Sequence, residues 1–124
     1  MSAAIRILLV DDEASFRDGV AANLRLDGFE AEVYESPASV PLETLGNVDL
    51  VITDYQMDGE DGVQFADRVH GLYPTVPILL VTAFWSQALS RQIQMRKHVQ
   101  MVQKPLDYFN LLDRVRRLTE TDGA

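Results

Sequence analysis

At 124 residues the chain is the size of one domain, with room for a single core. Eleven basic against nineteen acidic residues leave a net charge of −8, which argues against non-specific nucleic-acid binding and against an anionic membrane as partner. The absence of cysteine excludes a disulfide framework, a thiol nucleophile and a zinc–thiolate site. The longest apolar runs, Ile7–Val10 and Pro77–Val81, are strand-sized and far short of a membrane span. No signal-peptide pattern opens the chain, so it reads as soluble and cytoplasmic.

Ile5–Val10 is a β-branched strand that stops at Asp11-Asp12-Glu13. A helix comes next with Phe16, Val20 and Leu24 on one face, and Gly28 closes it. Acidic residues at Asp12 and Glu13 suit that helix's positive N-terminus, so capping is their simplest use. Glu30–Glu35 alternates weakly and reads as an edge strand. Ser36-Pro37 opens a second, weak helix to about Leu45, weakened by Pro41.

Asp49–Thr53 is a buried third strand ending at Asp54, and Asp58-Gly59-Glu60-Asp61-Gly62 is the loop after it. Val63, Phe65, Ala66 and Val69 mark a helix ending near Gly71. Ile78–Val81 is the fourth strand, ending at Thr82-Ala83. Gln87–Arg96 has helical composition with an unclear apolar face. Val99–Gln103 is the fifth strand, ending at Lys104-Pro105. Asp107 caps a last helix with Phe109, Leu112 and Val115 inward, and arginines near its C-terminus complement the helix dipole.

Five strands alternating with five helices predict an α/β fold: a parallel sheet covered on both faces, in the order 2-1-3-4-5. The single domain takes in residues 1–124, with its core over about 5–118 and Thr119–Ala124 as a polar tail. Ligands in such sheets bind at the carboxyl ends of the strands. Neighbouring strands lie roughly 4.8 Å apart, so Asp11, Asp12 and Asp54 crowd one pocket, with Thr82 and Lys104 on the two strands beyond. Clustered carboxylates repel one another and call for a cation. Oxygen ligands in an open, hydrated site suit Mg²⁺. An aspartate neutralised in this way and facing an electrophilic phosphorus can act as a nucleophile. Thr82 can hydrogen-bond the incoming group and Lys104 can counter its charge. Each residue alone fits a cap, a turn or a surface charge; together they make a phosphoryl-accepting site.

The chain resembles the receiver domain of two-component response regulators over Ile5 to about Leu118. The resemblance rests on Val10-Asp11-Asp12-Glu13, Asp54-Tyr55-Gln56-Met57 with Asp61-Gly62, Thr82-Ala83 and Lys104-Pro105. It implies a flavodoxin-like (βα)5 fold and phosphoryl transfer to Asp54 from the phosphohistidine of a sensor histidine kinase or a histidine phosphotransfer protein. It further implies Mg²⁺ held by Asp12, Asp54 and the backbone carbonyl of Gln56, with Asp11 assisting, and a cis peptide bond before Pro105. Modification would switch a surface for a downstream protein target, with a homodimer left open. Gln56 and Phe84 occupy positions that tune the phosphoryl lifetime in this family.

Three features depart from the family pattern. Met101 stands where the switch partner of Thr82 is usually an aromatic. Asp58 stands where proline is common, and Arg96-Lys97-His98-Val99-Gln100 replaces a small, glycine-containing turn. Phe84-Trp85 puts two large aromatics at the rim of the site, as a shield, a partner surface or core packing. Leu89, Met95 and Met101 are candidates for a contact surface, whereas His70 and His98 read as surface or helix-end residues without catalytic use. Two other classes compete with the phosphoacceptor reading. One is a phosphorylation-independent interaction domain, and the other is a small phosphohydrolase with an aspartyl nucleophile and Asp58 or Asp61 as second acid.

Overall fold

Apolar runs of four or five residues form strands here because both of their faces are covered, as in a parallel sheet. The computed structural model describes residues 4–120. β1 (Arg6–Val10), β2 (Glu30–Tyr34), β3 (Leu50–Thr53), β4 (Ile78–Thr82) and β5 (Val99–Gln103) pair in parallel in the order β2-β1-β3-β4-β5. β3 and β4 are buried along their whole length, and β2 and β5 are the half-exposed edges. The sheet is the flavodoxin-like arrangement that the alternation of elements predicts.

α1 (Ala14–Leu26) and α4 (Tyr108–Thr119) cover one face, where Val20, Leu24, Leu111 and Val115 meet Ile7, Leu9, Ile52 and Val81. α2 (Gly62–Leu72) and α3 (Gln87–Gln94) cover the other, where Phe65, Val69, Leu89 and Ile93 meet Leu8, Val10, Val51 and Leu80. Alternate residues of each strand thus feed two separate apolar layers, which fixes the register of every strand. α1 stops where Gly28 takes φ +95°, a conformation that favours glycine, and its N–H reaches the Arg25 carbonyl at 3.1 Å.

Four expectations need correction. The helix predicted from Ser36 to about Leu45 is two 3₁₀ segments, Pro37–Ser39 and Leu42–Asn47. Pro41 has no N–H and disfavours a helical residue before it, and Val40 is accordingly extended at φ −81°, ψ 119°. Four α-helices therefore accompany the five strands. In α4, Leu111 faces the sheet and Phe109 is 79% exposed. The Asp107 carboxylate accepts from Asn110 N–H at 2.9 Å, and the helix it starts presents Leu111 and Val115, four residues apart, to the core.

Leu89, grouped with Met95 as a contact surface, is a core residue, while Met95 is 81% exposed. His70 and His98 are not isolated surface residues: their rings stack on each other at 3.7 Å. Of the predicted polar tail, residues 121–124 lie outside the described residues. Among the described residues, no helix is long and apolar enough to cross a membrane.

Candidate functional site

Backbone pairing carries two aspartates past the ends of their strands and onto the carboxyl edge. Asp11 N–H donates to the Tyr34 carbonyl at 3.1 Å, and Asp54 N–H to the Val10 carbonyl at 3.1 Å. Asp11, Asp12 and Asp54 each then offer an oxygen within 4.8 Å of the others. They differ in exposure: Asp11 is buried, Asp54 half-buried and Asp12 exposed. Asp12, Glu13, Asp54, Gln56, Met57 and Asp58 line an open acidic cavity. Such a cluster of hard oxygen donors, open to solvent on one side, fits a divalent cation that keeps part of its water shell.

Lys104 answers the negative charge. Its ammonium lies 3.0 Å from Asp11 Oδ2, 3.3 Å from Glu13 Oε1 and 3.5 Å from Asp54 Oδ2. It also sits 4.1 Å from the centroid of the Phe16 ring, a cation–π contact with an otherwise apolar α1 residue. The Lys104-Pro105 peptide is cis, as the resemblance implies, and Lys104 N–H continues the β4–β5 ladder to the Thr82 carbonyl at 2.8 Å.

Burial alone would push the Lys104 ammonium toward deprotonation. The hydrogen bond to Asp11 and the charges of Asp11 and Asp54 outweigh it and hold the group above its usual range. Burial is also the strongest influence on Asp11 and pushes its carboxyl up. The Glu13 N–H and Lys104 oppose that rise incompletely, and the Asp54 charge adds to it. Both directions belong to a pocket with more anions than cations.

Asp54 Oδ1 accepts from its neighbour's N–H, that of Tyr55, at 2.6 Å. Thr82 is 1% exposed, and its Oγ1 accepts from Phe84 N–H at 3.0 Å, which leaves the hydroxyl proton free to donate. Gly62 sets the loop between β3 and α2. Its N–H meets the Tyr55 carbonyl at 2.8 Å, and any Cβ there would strike the Asp54 carbonyl and Leu80. Asp61, a candidate second acid, is taken up by the start of α2. Its carboxylate accepts from Gln64 N–H at 2.8 Å, and Gln64 Oε1 accepts from Asp61 N–H at 2.9 Å.

The fold brings together Asp11, Asp12, Asp54 and Lys104 directly, with Thr82 at the end of the next strand and Gln56 in the cavity lining. Met101 lies deeper, opposite Leu80 on β5 and packed against the α2–α3 layer. Sequence reasoning missed two contributors. Glu13 stands at the N-cap position of α1 but makes no side-chain capping bond; it turns to Lys104 instead. Phe16 doubles as a platform for the same ammonium. Glu13 and Lys104 are 91 positions apart, and only the topology joins them.

The response regulator receiver domain family model matches residues 7–116, and the chain belongs to that family. It is 31% identical over 115 residues to the response regulator protein FleR of Pseudomonas aeruginosa, covering 92% of this chain and 24% of FleR. It is 29% identical over 127 residues to the transcriptional regulatory protein PdtaR of Mycobacterium tuberculosis, covering 95% of this chain and 62% of PdtaR. The chain thus spans less than two thirds of the length of either relative. Among solved structures, the chemotaxis protein CheY4 of Vibrio cholerae superposes with a TM-score of 0.84 at 26% identity, covering 94% of this chain and 99% of CheY4. The receiver domain of the hybrid histidine kinase CckA superposes with a TM-score of 0.77 at 27% identity, covering 93% of this chain and 99% of that one.

Proposed function

We propose that this chain is a phosphoacceptor module in which Asp54 takes a phosphoryl group from a phosphohistidine. The donor is a sensor histidine kinase or a histidine phosphotransfer protein in the cytoplasm, and the output is altered binding of a downstream protein. The observation that carries this reading is the convergence of the Asp11, Asp12 and Asp54 oxygens within 4.8 Å, with the Lys104 ammonium 3.5 Å from Asp54.

An oxygen of the Asp54 carboxylate forms the new O–P bond while the P–N bond of the phosphohistidine breaks. The electron pair of that bond leaves with the imidazole. Lys104 balances the charge gathering on the phosphoryl oxygens, and the free Thr82 proton donates to one of them. Tyr55 N–H holds one Asp54 oxygen, orienting the other. Asp12, Asp54 and the Gln56 carbonyl, with Asp11 assisting, are the groups that would hold Mg²⁺. Bound there, the ion supplies the positive charge that lets carboxylate and phosphoryl approach.

Intact-mass spectrometry after incubation with Mg²⁺ and a small phosphodonor tests the proposal. One phosphoryl adduct is expected on the wild type and none on Asp54→Ala. An adduct on both proteins would remove Asp54 from its role. Absence of an adduct on the wild type, together with failure to bind beryllofluoride, would favour a phosphorylation-independent interaction domain.

A further inference from the structure

The two residues whose amides hold the reactive side chains also stack their rings. Tyr55 N–H donates to Asp54 Oδ1 at 2.6 Å, and Phe84 N–H donates to Thr82 Oγ1 at 3.0 Å. The Tyr55 and Phe84 rings lie 5.2 Å apart, centroid to centroid, at an interplanar angle of 20°, an offset-stacked pair. Tyr55 is half-buried against the α2–α3 layer, whereas Phe84 is 36% exposed at the rim. One ring is therefore seated in the core and the other is free to move. Meanwhile the side chain deeper on β5 is Met101, which is flexible and has no ring to reorient.

We propose that the Tyr55–Phe84 stack is the phosphorylation-responsive joint of this chain, coupling Asp54 and Thr82 to the start of α3. The inference rests on the phosphoacceptor reading. When the Thr82 hydroxyl turns to donate to a phosphoryl group on Asp54, its oxygen leaves the Phe84 amide. Tyr55 stays anchored to the Asp54 oxygen that its N–H holds, so the displacement falls on Phe84 and opens the stack. The segment that moves is short. Phe84 is followed by Trp85 and then by Ser86, whose Oγ caps α3 by accepting from Leu89 N–H at 3.0 Å. A shift at Phe84 thus reaches the first turn of α3 without passing through β5. Phosphorylation would be read on the chain's surface through the cap of α3 and the half-exposed Trp85.

The test is NMR of the whole chain with and without Mg²⁺ and beryllofluoride, comparing wild type with Phe84→Leu and Met101→Leu. In the wild type, contacts between the Tyr55 and Phe84 ring protons are expected to disappear on saturation, with shifts at the Trp85 indole and the Leu89 amide. Phe84→Leu should lose the Leu89 shift while the Asp54 and Thr82 signals still respond. Met101→Leu should behave as wild type. Ring contacts that persist at saturation, an undiminished Leu89 shift in Phe84→Leu, or its loss in Met101→Leu would overturn the proposal. If the Asp54 and Thr82 signals of the wild type do not respond at all, the phosphoacceptor reading fails first and takes this inference with it.

Discussion

The carboxyl and amino edges of the sheet both place titratable groups out of water, but they treat them in opposite ways. On the carboxyl edge, buried Asp11 meets the Glu13 N–H and the Lys104 ammonium at 2.9 and 3.0 Å. On the amino edge, His98 stands just before β5 and stacks on His70 of α2, with the planes 13° apart. There His70 Nδ1 and His98 Nε2 are buried without a hydrogen-bond partner. The nearest carboxylate, Asp67, is held by Arg96 at 2.8 and 2.9 Å, and its oxygen stays 4.0 Å from His98 Nε2. Partnered burial preserves charge where a phosphoryl site needs it; unpartnered burial suits neutral rings and packing.

The largest test of this contrast removes the one cation that the described residues place in the pocket. Lys104→Met leaves Asp11 buried beside Asp54 with no counter-charge. It should lower stability by roughly 3–5 kcal/mol, the cost of orphaning one partner of a buried pair. Urea denaturation measures it, and a loss below about 1 kcal/mol, the scale of an exposed pair, would mean the pocket is effectively solvated.

Asp54→Asn works in the other direction. The amide oxygen can still accept from Tyr55 N–H, while one negative charge leaves the cluster. Without metal the variant should be more stable by about 1 kcal/mol, since one pKa unit of relieved repulsion is worth about 1.4 kcal/mol. Mg²⁺ should raise the melting temperature of the wild type and do so much less for the variant. Equal Mg²⁺ responses in the two proteins would take Asp54 out of the cation site.

The histidine edge should give a smaller, pH-dependent effect. Burial is the main cause that lowers the His98 pKa; the neighbouring His70 and Arg96 act the same way and Asp67 opposes them. The folded protein therefore keeps His98 neutral where the unfolded chain already binds a proton. This contribution to stability is whole above about pH 6.5 and declines as the pH falls below it. His98→Phe keeps a stacked ring without titration, so its stability should fall less than the wild type's between about pH 7 and pH 5. Parallel profiles would show that His98 does not titrate differently on folding.

Most of the fold was legible because each strand is an apolar run broken by a residue that cannot stay buried. Asp11, Asp54, Thr82 and Lys104 were readable for the same reason, as each succeeds or ends such a run. The second helix was misread because Ser36-Pro37 is a genuine helix start, and only Pro41 cuts it short. Phe109 was misplaced because Phe109, Leu112 and Val115 fit a helical stripe nearly as well as Leu111 and Val115. The Glu13–Lys104 contact, the Tyr55–Phe84 stack and the His70–His98 stack had no local signal. Each joins segments that only the crossovers of the sheet bring together.

Asp54 is the carboxylate that this pocket makes nucleophilic, and a chemical mark can locate it. Borohydride reduces an acyl phosphate and so marks the carboxylate that carried it; peptide mapping after treatment with phosphodonor and Mg²⁺ then finds the mark. It is expected on Asp54 and should disappear when Mg²⁺ is chelated. A mark on Asp11, Asp12 or Asp58, or one on Asp54 that is indifferent to Mg²⁺, would contradict that assignment.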